Sequence, residues 1–245
     1  MRVSYGSDVG LVRDNNQDSV YACQFSDTSG LFIVADGMGG YEGGELASSS
    51  AVTQISDFVK AQYRPDMPDD EIRELLQLSI KAAGQNIYAT AQKKTELSGM
   101  GTTVVVCLVV GSKLYTASVG DSRCYIYTGK RLYQITTDHS LVADLVARGL
   151  ISEEEAKMHP QKNVITRAVG SEERVLADIF VTDLCDDDIV LICSDGLHTM
   201  VDDEKIKCLL ADYDESVADK LISAANKNGG KDNITVITIK ISDEV

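Results

Sequence analysis

Five aspartates in this chain sit where strand-like runs begin or end. Leu31 to Ala35 runs into Asp36-Gly37, Leu114 to Val119 passes through Gly120 to Asp121, and Ile189 to Ser194 stops at Asp195-Gly196. Asp232-Asn233 stands just before Ile234 to Ile241, and Asp18 just before the first such run. A single Asp-Gly is ordinary turn chemistry, because the carboxylate bonds its own backbone and glycine accepts positive φ. Five gathered at one edge of packed sheets would behave differently. Taken out of water together, they would raise each other's pKa values unless cations compensated. Every candidate donor is an oxygen, and the histidines at 139, 159 and 198 show no ligand spacing. Such a set suits Mn²⁺ or Mg²⁺ and not zinc. Spacing alone leaves both readings open, separate turns and a metal site.

The elements that must position these residues are legible in outline. Val20–Phe25, Leu31–Ala35, Thr102–Val110, Lys113–Val119, Arg123–Tyr127, Ile189–Cys193 and Ile234–Ile241 are rich in Val, Ile, Thr and Tyr and bounded by turn residues, which predicts strands. Gly111-Ser112 joins two of them as a tight hairpin, favouring antiparallel pairing. Ala47, Ala51, Ile55, Phe58 and Val59 fall on one helical face, as do Ile72, Leu75, Leu76, Ala83 and Ile87. Asp69 or Asp70 is the expected cap of the second helix. Ser152 with Glu155 has the capping-box pattern of a short helix over 152–158. Val217, Ala218, Leu221, Ile222 and Ala225 mark a late helix that Gly229-Gly230 would end. Strands and helices come in clusters, so the expected class is α+β, antiparallel sheets with helices on their outer faces.

The bulk composition narrows the function classes. The chain has 245 residues, 44% of them hydrophobic, enough for a sizeable core, and nothing in it resembles a linker, so one domain over 1–245 is expected. Its 23 basic and 38 acidic residues give a net charge of −15, which disfavours nucleic acid and anionic membrane surfaces as partners. Six cysteines without a CxxC pair read as small buried hydrophobes in a reducing compartment. No apolar segment follows Met1–Gly6 as in a signal peptide, and Val104 to Val110 is too short to span a bilayer. A cytoplasmic protein without membrane insertion is expected.

Longer blocks carry a family resemblance. Gly6-Ser7-Asp8-Val9-Gly10 followed by Arg13-Asp14-Asn15-Asn16-Gln17-Asp18, then Ala35-Asp36-Gly37-Met38-Gly39-Gly40 with Gly44-Glu45 and Ala47-Ser48, resemble the opening signatures of the metal-dependent serine/threonine protein phosphatases, the protein phosphatase 2C or PPM family. Gly101-Thr102-Thr103, Val119-Gly120-Asp121-Ser122-Arg123 and Asp138-His139-Ser140-Leu141 follow in the family's order. So do Ile165-Thr166-Arg167-Ala168-Val169-Gly170, Ser194-Asp195-Gly196-Leu197 and Lys231-Asp232-Asn233-Ile234-Thr235-Val236. The resemblance spans essentially the whole chain, and its compact length is similar to the short bacterial members.

The resemblance implies a four-layer α-β-β-α sandwich with two central antiparallel sheets and a binuclear Mn²⁺ or Mg²⁺ centre at one end. Asp18 and the Gly37 carbonyl would hold one cation, Asp195 and Asp232 the other, and Asp36 would bridge them. Asp121 with Asp195 matches a third, weaker cation position. Arg13 matches the residue that clamps the substrate phosphoryl group, and Asp36 and Asp195 join it as the residues on which catalysis depends. The implied activity is hydrolysis of phosphoserine and phosphothreonine by in-line attack of a metal-activated water, with phosphoproteins as partners, including a cognate Ser/Thr kinase and its substrates, on a monomeric enzyme. The alternative weighed beside it is a non-catalytic, phosphoprotein-binding regulatory member of the same fold. Two departures stand out. Gln17 replaces the family's common glutamate, and its amide oxygen can still accept hydrogen bonds from water. Met38 replaces the histidine that animal members place as general acid, so the leaving oxygen must take its proton from a water or another residue, for which His159, in the segment resembling the family's flap, is a candidate.

Overall fold

The computed structural model describes residues 1–242. Two antiparallel sheets lie face to face. The first has the order β1 (Arg2–Asp8), β11 (Ile234–Lys240), β10 (Ile189–Cys193), β7 (Arg123–Thr128), β8 (Arg131–Gln134). The second runs β2 (Asp18–Ser26), β3 (Ser29–Met38), β5 (Val104–Val110), β6 (Lys113–Val119), β9 (Asp178–Asp183), with the short β4 (Gly101–Thr102) paired to the end of β3. Strand periodicity assigns the layers. Phe32 and Val34 of β3 join Val105, Cys107, Cys124, Val190, Ile192, Ile237 and Ile239 in the core between the sheets. Their neighbours Leu31, Ile33 and Ala35 point the other way. There they pack under α1 (Gly40–Gln62) and α2 (Asp69–Ala91), whose apolar faces include Ala47, Ala51, Ile55, Ile72, Leu76 and Ala83. On the opposite side α5 (Asp195–His198), α6 (Asp203–Ala211) and α7 (Val217–Lys227) cover Leu191, Cys193, Ile234 and Val236. The α-β-β-α sandwich expected from the sequence is therefore present.

The antiparallel hairpin forms as read, with Val110 opposite Lys113 across Gly111-Ser112. Ser152 caps α4 (Glu153–Met158) by a capping box: its hydroxyl accepts from the Glu155 amide at 3.2 Å and its own amide donates to Glu155 Oε2 at 2.8 Å. Preceding it, α3 (Leu141–Ala147) is capped by the Ser140 hydroxyl and buries no residue.

Two expectations are corrected. Neither Asp69 nor Asp70 caps α2, because the N-cap is Pro68 and the Asp69 carboxylate instead receives hydrogen bonds from Lys113 Nζ at 2.6 Å and the Tyr115 hydroxyl at 2.7 Å, tying the helix to β6. Of the six free cysteines, Cys107, Cys124 and Cys193 are buried, whereas Cys185 and Cys208 are exposed. Among the described residues, no helix is long and apolar enough to cross a membrane.

Candidate metal centre

The five strand-end aspartates come together at one end of the sandwich. Asp18 begins β2 and stands opposite Asp36 of β3 in the antiparallel register. Asp121 follows the β6 strand on the connection that crosses to β7 in the other sheet, and Asp195 opens α5 directly after β10. Asp232 lies just before β11, beside Asn233. Side-chain hydrogen bonds lace the two sheets at this end. Ser194 Oγ donates to Asp18 Oδ2 at 2.8 Å. Asn233 Oδ1 accepts from the Gln17 amide at 2.8 Å, while its Nδ2 donates to the Val9 and Asn15 carbonyls at 2.9 and 3.0 Å.

The electrostatics record how closely these carboxylates crowd. Burial pushes Asp18 up to about 7 against hydrogen bonds from Thr235 and Ser194, with further upward pressure from Asp195 and Asp232. Asp121 is likewise raised to about 7, by burial and then by Asp195 and Asp138. Asp195 rises to about 6 through burial and Asp232. Asp36 is held well above the usual carboxylate range by burial and by Asp18, Asp195, Asp121 and Asp232 together. Behind the cluster Arg123 is fixed by a bidentate pair with Asp138, 2.7 Å at its shortest, and by the Tyr125 hydroxyl at 2.8 Å.

Buried oxygens decide whether these residues fit a cation. Asp18 Oδ1, Asp121 Oδ1 and Asp195 Oδ1 are each buried without a hydrogen-bond partner. A buried carboxylate oxygen left unpaired is costly, and three on carboxylates close enough to raise one another's pKa values call for a positive charge among them. Among the described residues no three acidic, histidine or cysteine side chains form a closed cage for a single ion. Hard divalent cations complete their shells with water and backbone carbonyls, so a site for them does not require such a cage.

The backbone around Gly37 is shaped to the same end. A Cβ there would lie 2.1 Å from the Gly44 carbonyl oxygen and 2.7 Å from that of Gln17, so the first turn of α1 can approach β3 only over a glycine. Asp36 is pinned in the strand by Thr103, whose hydroxyl accepts its amide at 3.1 Å and whose own amide donates to its carbonyl at 2.8 Å.

Arg13 is on the rim. The Leu11 amide donates to the Gly230 carbonyl at 2.7 Å, which docks the loop, and Arg13 Nη2 then reaches Asp232 Oδ2 at 2.7 Å. The hydrogen bond and charge of Asp232 raise the Arg13 pKa further, with added pull from Asp195 and Asp36. Gln17 donates through Nε2 to the Gly40 carbonyl at 2.7 Å, so it also braces the start of α1, a role a glutamate could not play. His159 caps the C-terminus of α4 and its Nδ1 accepts the Gln161 amide at 3.1 Å, an arrangement local to its own loop.

The other two histidines hold the Asp121 turn. His139 Nδ1 accepts the Gly120 amide at 3.0 Å and its Nε2 bonds Asp178 Oδ2 at 3.1 Å. His198 Nε2 bonds the Asp121 carbonyl at 3.0 Å, and burial, with the nearby Arg123 charge, lowers its pKa to about 3. Asn233 and these two rings are residues to which the sequence assigned no role of their own. The only local signal was their adjacency to Asp232, Asp138 and Asp195 motifs.

Comparison with known proteins places the chain in a well-populated neighbourhood. The family model for protein phosphatase 2C matches residues 12–235. The serine/threonine phosphatase stp of Listeria monocytogenes is 38% identical over 242 residues, covering 98% of this chain and 96% of that protein. The solved serine/threonine phosphatase of S. agalactiae superposes with a TM-score of 0.91 at 36% identity, covering 98% of this chain and 99% of that one. The catalytic domain of the serine/threonine phosphatase PstP, solved in complex with two manganese ions, gives a TM-score of 0.86 at 35% identity over 99% and 98% of the two chains.

Proposed function

The chain belongs to the protein phosphatase 2C family and is a metal-dependent serine/threonine protein phosphatase, and on that premise we propose that its five converging aspartates are the metal ligands. Asp18 and the Gly37 carbonyl would hold one Mn²⁺ or Mg²⁺, Asp195 and Asp232 a second, with Asp36 shared between the two, and Asp121 with Asp195 would hold a weaker third. The observation that carries this reading is the set of three buried, partnerless oxygens on Asp18, Asp121 and Asp195.

The bound cations supply charge neutralisation and an activated water for in-line displacement at phosphorus. The protein supplies the rest. A phosphoserine brings nearly two negative charges toward a cluster that would otherwise repel it. Arg13, on the rim and aimed at Asp232, swings between that carboxylate and the incoming phosphoryl oxygens, which its planar fork can grip in bidentate fashion. Ser194, Thr103 and Asn233 hold the ligands in place. Met38 has no proton to give, so the departing serine or threonine oxygen takes its proton from a water of the site or from another residue. The same reading makes residues 1–245 one catalytic domain acting as a cytoplasmic monomer on phosphoproteins, among them a cognate kinase and its substrates. The complete ligand set argues against the non-catalytic alternative.

The test is dephosphorylation of a phosphothreonine peptide. EDTA should arrest it and Mn²⁺ restore it, with zinc failing to do so. Asp36→Asn and Asp195→Asn should each fall by about 10²–10³-fold or more at saturating Mn²⁺ while keeping the fold. Wild-type turnover in either variant would remove these residues from the centre.

A further inference from the structure

Asp121 and Asp195 approach each other from separate elements. Asp121 rides the crossover from one sheet to the other, and Asp195 is the first residue of α5. One oxygen of the Asp121 carboxylate, Oδ1, is buried without a partner. The main chain that carries this carboxylate is held on both sides. On one side that main chain is gripped by His139, whose amide donates to the Gly120 carbonyl at 2.9 Å and whose Nδ1 accepts the Gly120 amide. Gly120 itself has φ +104°, and a Cβ there would lie 2.6 Å from the Thr103 side chain, so the turn in this conformation admits only glycine. On the other side stands His198, one helical turn after Asp195 on α5. Its Nε2 lies 3.0 Å from the Asp121 carbonyl oxygen. A carbonyl only accepts, so Nε2 carries the proton.

We infer that His198 is a positioning residue for the third-cation pair, its Nε2–H bond to the Asp121 carbonyl fixing the separation of the Asp121 and Asp195 carboxylates. The inference rests on the assignment of that pair to a cation. A ring anchored on the helix of one ligand and bonded to the backbone of the other is an outer-sphere strut of the kind that typically governs metal affinity by about ten- to a hundredfold.

The test compares Mn²⁺ binding isotherms, by calorimetry, of the wild type, Asp121→Asn, His198→Gln and His198→Asn, each with its melting temperature. A glutamine amide nitrogen reaches the place of Nε2 and can donate, whereas an asparagine of equal polarity is too short. The weak third Mn²⁺ should survive in His198→Gln and lose about ten- to a hundredfold in affinity in His198→Asn, with the two tighter ions retained in both. A third ion lost in Asp121→Asn but bound equally by both His198 variants overturns the role of His198 and leaves the cation pair standing. A wild type that binds only two ions overturns the pair and the inference with it.

Discussion

Arg13 Nη2 and Asp232 Oδ2 are paired at 2.7 Å, so the residue proposed as phosphate clamp and one proposed as metal ligand share one bond. Asp232 Oδ1 meanwhile accepts the Asn233 amide at 2.9 Å. On the proposed assignment, a cation held by Asp232 would compete with the guanidinium for Oδ2 and leave Arg13 available to substrate. The pair is about half exposed on the arginine side, which limits its own contribution to roughly 0–1 kcal/mol and makes the exchange easy.

Arg13→Ala should therefore raise KM more than it lowers kcat, with kcat/KM falling about ten- to a hundredfold, as expected for a lost charge-assisted hydrogen bond. Arg13→Lys should recover part of this, lacking the fork. Inorganic phosphate should lose inhibitory potency in parallel. Mn²⁺ affinity should hold or increase, because Asp232 loses a competitor. Steady-state kinetics with phosphate inhibition, together with Mn²⁺ titration, check each point, and an unchanged phosphate Ki would place Arg13 outside the site.

The raised carboxylates make the metal-free protein pH-sensitive. Asp18 and Asp121 near 7 and Asp195 near 6 lie above the roughly 3.9 of an unfolded aspartate. The folded state therefore binds more protons than the unfolded one between about pH 4 and 7, and their contribution to stability is lost as pH rises through that window. In EDTA the melting temperature should fall from pH 5 to pH 8, and Asp18→Asn should flatten the slope. Mn²⁺ should restore stability most at pH 8 and release protons on binding at pH 6, readable by calorimetry in buffers of different ionisation enthalpy. A metal-free melting temperature that climbs over this range, with no smaller slope in the variant, would contradict the crowding.

Gly37→Ala tests the close approach of α1 to β3. Its methyl group would meet the Gly44 and Gln17 carbonyls at 2.1 and 2.7 Å, both backbone atoms that cannot swing aside. Overpacking of this kind should cost about 3 kcal/mol or more in denaturant unfolding and reduce turnover through displacement of the neighbouring Asp36. A melting profile and activity equal to wild type would show that the helix start yields without effect.

The sequence by itself determined a good deal. The apolar runs Leu31–Ala35, Lys113–Val119 and Ile189–Cys193 lie inside the strands found, and the α1, α2 and α7 faces were written in helical spacing, because central strands and core-facing helices must carry continuous or periodic apolar residues to be buried. The aspartates at their ends were visible for the same reason. Strands β1, β8 and β9, which escaped notice, are all sheet edges, half exposed and polar enough to lack that signal, and the run Thr102–Val110, expected as one strand, is broken at Thr103 into β4 and β5. Likewise α3 buries nothing, and α5 is only 4 residues long.

Tertiary structure alone decided which sheet each strand joins, and hence that Asp18 and Asp36 face one another while Asp121 and Asp195 meet across layers. It also turned residues without a role assigned by sequence into supports. Asn233 binds segments more than 200 positions away in sequence, and His139 and His198 take the two sides of one turn. Such roles come from hydrogen bonds between distant segments, which local propensity and spacing do not encode. The sequence supplies the donors and acceptors, and only the packing of the two sheets brings them within 3 Å of each other.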